Sequence, residues 1–172
     1  MSERKNVLLV NEEDEIQGIE DKLIAHQAPS QRHRAFSIFL FNKNNELLLQ
    51  KRASHKYHAA NLWSNTCCSH PQLGEDTLDS AKLRLLEELG IEAELKFLKK
   101  VEYKSHITAD LYEWEIDHLF TGIFEGKIYL NPEEVSEVTW INLDDLASEL
   151  INNPSAYTPW LHILLPFIAN RN

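Results

Sequence analysis

The sequence predicts an α/β chain of the α+β type, one domain over residues 1–172 with a mixed β-sheet sandwiched between helices. Three observations lead there. β-rich apolar runs recur at 6–10, 35–41, 46–51, 94–104, 112–123 and 138–141. A helical pattern at 78–89 divides the earlier strands from the later ones, and two further helical stretches close the chain. No repeat, low-complexity tract or linker interrupts it, and 172 residues suit a single core. Strands, one central helix, more strands and then helices describe a mixed sheet with helices on both faces.

The first strand, 6–10, ends in the turn 11–14, and 19–25 fits either a strand or a short helix. A polar loop holding His26, Pro29 and His33 comes next. Residues 35–41 form a continuous apolar strand, which pairs with 46–51 through the Asn-rich turn 42–45. The long loop after it, through His70, is of a length that compact domains reserve for function. Asp76 or Thr77 caps the 78–89 helix, Leu78, Ala81, Leu85 and Leu89 make its buried stripe, and Gly90 stops it. Strands follow at 94–104 and 112–123, then a further candidate at 126–130 and a short strand at 138–141. Helices are expected at 144–151 and 159–169, the second opened by Pro159 and kinked or broken at Pro166.

Composition narrows the function. The 43% hydrophobic content is that of a globular chain, and no apolar run is long enough to span a bilayer. Residues 1–6, with only a short apolar stretch and then acids behind them, do not read as a signal peptide. Cys67 and Cys68 are neighbours and unsuited to an ordinary cross-link, so a reducing, cytoplasmic setting is expected. A formal net charge of −10 opposes nucleic acid, whose binding depends on phosphate neutralisation. It leaves room for a small anionic substrate if a metal and a few basic side chains reverse the local field.

The chemistry concentrates in residues 61–75, where the Cys68 thiol stands two residues from the His70 imidazole in a polar loop. Cys68 rather than Cys67 shares a side with His70 at strand spacing. On the 112–123 strand, Glu113, Glu115 and Asp117 lie on one face. Glu113 and Glu115, about 6.6 Å apart by strand rise, can reach one metal ion. A lone E-x-E is usually a solvated face. The loop histidines His26, His33 and His70 add weight, because three imidazoles and two carboxylates suit an octahedral Mn²⁺, Mg²⁺ or Zn²⁺. Proton competition for those nitrogens predicts that metal affinity falls as pH drops through the histidine range. His55, His58, His106, His118 and His162 read as surface histidines.

Glu75, Leu85, Glu87, Glu88, Gly90 and Ile91 match the box G-x5-E-x7-R-E-U-x-E-E-x-G-U, so the chain resembles the Nudix superfamily. Ser69, Leu83 and Arg84 stand where the box has Gly, Arg and Glu, and the missing Glu is a metal ligand of hydrolytic members. The run 65–71 with both cysteines and His70, then Glu88-Leu89-Gly90, Glu113-x-Glu115 and Pro159-Trp160, is similar to type I isopentenyl-diphosphate isomerases, which share that fold. The resemblance extends from about Lys22 through Trp160.

It implies a Nudix fold and isomerisation of isopentenyl to dimethylallyl diphosphate. The implied metal ligands are His26, His33, His70, Glu113 and Glu115, with Cys68 and Glu115 as catalytic groups assisted by Tyr103. Glu88 and the Cys68 carbonyl would hold Mg²⁺ on the diphosphate. Lys22, Arg52, Lys56, Ser69 and, in addition, Arg84 would grip that diphosphate, and Trp160 would face the hydrocarbon. Without the resemblance, the basic residues read as solvated surface and Trp160 as helix core. The implied partner is a small diphosphate, with no nucleic acid and no membrane, and the chain is expected to act as a monomer. Two alternatives stay open: a Nudix hydrolase of a nucleoside diphosphate derivative, and a non-catalytic Nudix ligand-binding domain.

Overall fold

The computed structural model describes residues 4–171, so the first three residues of the leading segment and Asn172 lie outside the described residues. The strands are β1 (Asn6–Val10), β2 (Ile16–Asp21), β3 (His33–Phe41), β4 (Glu46–Arg52), β5 (Trp63–Ser64), β6 (Cys67–Ser69), β7 (Lys96–His106), β8 (Tyr112–Ile123) and β9 (Val135–Asn142). The helices are α1 (Lys22–His26), α2 (Thr77–Leu89), α3 (Leu143–Asn152) and α4 (Pro159–Ala169), with a 3₁₀ turn at Pro154–Ala156.

β3 is the hub. All nine of its residues pair in parallel with β8 along one edge, from His33 opposite Glu115 to Phe41 opposite Ile123. Its other edge meets β1, β6 and β4 in turn, all antiparallel. β7 extends the sheet beyond β8, and β9 extends it beyond β4. The unbroken apolar run of β3 follows from burial on both faces. Phe39 and Phe41 pack towards α3 and α4, with Leu146, Leu161 and Leu164. Phe36, Ile38 and Leu40 pack towards α2, with Ala81, Leu85 and Leu89. The mixed sheet between helices is therefore as expected.

Local signals set the boundaries. The stretch that fits either strand or helix is both: β2 runs into α1, where the Asp21 side chain accepts from the amides of Leu23 and Ile24. Asp76 caps α2, and Gly90 ends it at φ 65°. A side chain at Gly90 would begin 2.8 Å from Tyr129 Cβ, so the position needs glycine twice over. The candidate strand at 126–130 does not form. Its backbone is taken instead by the end of α2, with Tyr129 N–H donating to Leu89 O and Asn131 N–H to Glu88 O. α4 continues through Pro166 without a break, and Pro166 lies on the exposed side of the helix. No helix among the described residues is long and apolar enough to cross a membrane.

Candidate functional site

Alternation along β8 sends Glu113, Glu115 and Asp117 to one face, but that face is buried, not solvated. The β7 register sets Tyr103 beside Glu115. The Tyr103 hydroxyl donates to Glu115 Oε1 at 2.7 Å and stands 3.2 Å from Glu113 Oε2. Ser37 of β3 donates to Asp117 Oδ2 at 2.7 Å. Three carboxyls so close and so dry do not all ionise. Burial, then the charge of Glu115, pushes Glu113 well above the usual carboxylate range and does the same to Asp117. Burial works in that direction on Glu115 too, but the His33 and His70 imidazoles at its side outweigh it and hold Glu115 well below the range.

Three imidazoles surround these carboxyls, from α1, from β3 and from the loop after β6. His26 ends α1 and His33 opens β3, so neither is in a loop, and both are fully buried. His70 follows β6 and sits 2.9 Å from Glu115 Oε2. His33 Nε2 is 3.3 Å from the same oxygen, and His26 Nε2 is 4.0 Å from Glu113 Oε1. One nitrogen of each of the three imidazoles lies within 4.8 Å of the others. His26 Nδ1 is 2.6 Å from Lys22 O, and His33 Nδ1 is 2.8 Å from Gln31 O. Those carbonyls accept the Nδ1 hydrogens and leave a bare lone pair on each Nε2, which is buried without a hydrogen-bond partner. Burial keeps His26 and His70 neutral, lowering the first and pushing the second down to about 3. Imidazole nitrogens with orphaned lone pairs beside two carboxyl groups are a donor set that fits a divalent metal.

β6 sends its two cysteines to opposite faces. Cys67 is fully buried against α2, whereas Cys68, opposite Ser37, lines a cavity of about 580 Å³. Burial raises the Cys68 thiol, which stays protonated at neutral pH. The same cavity is lined by Lys22, Arg52, Lys56, Ser69, Arg84, Glu88 and Trp160, together with His70, Tyr103, Glu113 and Glu115. Every residue to which the family resemblance assigns a role, apart from the buried His26 and His33, thus borders one space.

The basic residues there are not a solvated surface. Arg52 is buried, its Nε has no partner, and its guanidinium lies 5.3 Å from the Trp160 ring centroid. Lys56 pairs with Glu134 at 2.6 Å. Arg84 pairs with Glu87, Glu88 and Glu134 at 2.7, 2.8 and 3.3 Å. Glu88 accepts from Arg84 on one oxygen and from Gln50 on the other, and each oxygen retains a second lone pair. Trp160 is both core and cavity wall: it packs with the α3–α4 core and donates from Nε1 to Ser64 Oγ at 2.8 Å.

Two histidines depart from the surface reading. His118 is half-buried and hydrogen bonds to Asp14 at 2.8 Å. His58 is buried in the cavity wall, 3.2 Å from Glu113 Oε1. Glu134 and Gln50 also belong to the site, and sequence reasoning does not find them. The signal for His58 is its place two residues after Lys56 in a long loop. Glu134, in the short turn before β9, has none.

The NUDIX domain model matches residues 31–161. "Isopentenyl-diphosphate Delta-isomerase 1" of Aromatoleum aromaticum is 46% identical over 90% of this chain and 87% of its own. "Isopentenyl-diphosphate Delta-isomerase" of Serratia proteamaculans is 43% identical over 90% and 86%. Among solved structures, a Deinococcus radiodurans protein superposes with a TM-score of 0.77 over 94% of this chain and 97% of its own, at 20% identity.

Proposed function

The chain belongs to the isopentenyl-diphosphate Delta-isomerase family of NUDIX-domain proteins, and from that premise we infer that it converts isopentenyl diphosphate to dimethylallyl diphosphate. The reaction adds a proton to the terminal methylene carbon and removes one from the carbon two bonds away. Positive charge develops on the tertiary carbon between them. Such a site needs two proton-handling groups, a wall that tolerates a cation, and no free water.

One observation carries the reading: a single cavity holds the Cys68 thiol, the Glu115 carboxylate with its Tyr103 hydroxyl, and the Trp160 ring. Cys68 is one proton handler, and Glu115 with Tyr103 is the other. The Trp160 π face stabilises the cation. Lys22, Arg52, Lys56, Ser69 and Arg84 anchor the diphosphate, with the unpartnered Arg52 Nε among the available donors. His26, His33, His70, Glu113 and Glu115 hold Mn²⁺, Mg²⁺ or Zn²⁺, and Glu88 with the Cys68 carbonyl holds Mg²⁺ on the substrate. When bound, these ions fix the Glu115 carboxylate and offset the diphosphate charge. All these groups come from one chain, so we expect a monomer comprising a single domain. Two free cysteines suit the reducing cytoplasm.

The test is an assay with isopentenyl diphosphate, following the acid-labile allylic product beside released phosphate. Allylic product without phosphate is expected. Phosphate release from a nucleoside diphosphate with no allylic product would establish the hydrolase, and neither product would favour a binding domain.

A further inference from the structure

We infer that His58 is a positioning residue of the metal centre, its Nε2–H holding the Glu113 carboxylate towards the three imidazoles. The inference rests on the ligand set proposed above. His58 lies in the irregular segment between β4 and β5, yet its side chain is only 7% exposed. Its Nε2 is 3.2 Å from Glu113 Oε1, the oxygen that lies 4.0 Å from His26 Nε2. The other Glu113 oxygen is 3.2 Å from the Tyr103 hydroxyl. Glu113 thus meets the His58 loop at one oxygen and lies beside the β7 tyrosine, whose hydrogen goes to Glu115, at the other.

A metal-ligating Glu113 is ionised and only accepts hydrogen bonds, which places the His58 hydrogen on Nε2. The other ring nitrogen, Nδ1, is buried without a partner. Packing fixes the ring, with the Tyr57 ring 4.1 Å and the Trp160 ring 5.8 Å away by centroid. The backbone is fixed as well. Arg52 donates to His58 O, and Ala59 next to it takes a left-handed φ of 53°, which costs an alanine more than a glycine. A buried imidazole held this way, with its one hydrogen bond aimed at a carboxylate of the centre, does what outer-shell groups do for metal ligands.

The experiment measures affinity for Mn²⁺ and Zn²⁺ by competition with a chromophoric chelator, for metal-free wild type, His58→Phe, His58→Gln and His58→Asn, with the melting temperature of each. Glutamine carries its amide nitrogen about where imidazole Nε2 sits, and asparagine is one methylene too short. The expected result is affinity weakened about 10- to 100-fold in His58→Phe. His58→Asn should be weakened too, and His58→Gln should stay close to wild type. Wild-type affinity in His58→Phe would overturn the proposal. If the Phe variant does not fold, equal affinities for the Gln and Asn variants would overturn it. The isomerase assay on wild type is read separately. Its failure would sink the functional reading and leave the metal comparison to decide His58.

Discussion

Two carboxylate clusters line the one cavity, and they are neutralised by opposite means. On β8, Glu113 and Glu115 meet the imidazoles of His26, His33 and His70, and the Nε2 atoms of His26 and His33 are buried without a hydrogen-bond partner. On α2, Glu87 and Glu88 meet the Arg84 guanidinium, which also binds Glu134, itself paired with Lys56. Arginine does not lose its proton in a protein, so the second cluster carries its counter-charge permanently. Imidazole can exchange a partner for a metal, so the first cluster is open to one. The Nudix box puts a metal-binding Glu where this chain has Arg84. On the function proposed above, that one exchange leaves Glu88 on the helix to hold Mg²⁺ and adds a guanidinium to meet the diphosphate, while the β8 face carries the chemistry.

If the division holds, the largest effects belong to β8 and its neighbour β6. Glu115→Gln and Cys68→Ala each remove a proton-handling group and should cut turnover about 10²- to 10⁴-fold. Cys67→Ala should keep turnover once folded and lower the melting temperature, because Cys67 faces the α2 core. Turnover and thermal melts on the three variants check this. Activity lost in Cys67→Ala and kept in Cys68→Ala would reverse the assignment.

Trp160 tests the wall between the clusters. Its buried ring donates to Ser64 and lies under Arg52, so replacement must cost stability whatever its chemical role. A desolvated cation–π contact is worth about 2 kcal/mol or more, which corresponds to roughly a 30-fold change in rate. Turnover should fall from Trp to Trp160→Phe to Trp160→Leu, with metal content and binding of inorganic diphosphate unchanged. Equal turnover in the two folded variants would leave Trp160 with packing alone.

Why these residues are legible in the chain, and others not, has a physical cause. The apolar run of β3, the capped periodic α2 and the alternation of β8 are local patterns. Such patterns are enough to assign Glu113, Glu115 and Cys68 to definite faces of their strands. Whether the β8 acids meet water or imidazoles depends on the β3–β8 register, a long-range pairing that sets His33 opposite Glu115. His58 and Glu134 are invisible for the same reason: each acts through a partner at least fifty residues away, Glu113 for one, Lys56 and Arg84 for the other. The stretch at 126–130 reads as a strand because its apolar residues pack on the core, but its backbone belongs to the end of α2.

The mildest prediction concerns protons at the β8 cluster, where the structure moves the expected pH range. Competition for the imidazole nitrogens places the loss of metal affinity in the histidine range, but burial, followed by other influences, lowers His26 and pushes His70 down to about 3. A proton cannot compete at His70 until the solution is strongly acid. Glu113 behaves oppositely: burial, then Glu115, raises its pKa, so the metal-free protein keeps a proton there where an ordinary glutamate is ionised. Binding a metal through Glu113 must expel that proton. Affinity should therefore fall as pH drops below the raised Glu113 pKa, by about tenfold per pH unit for one displaced proton, and level off above it. Calorimetry in two buffers of different ionisation heat counts the protons released, and chelator competition over pH gives the slope. Glu113→Gln should bind more weakly and with a flat pH dependence. A slope that survives in Glu113→Gln and vanishes in His70→Asn would put the proton on the imidazole, and the two clusters would then differ less than their counter-charges imply.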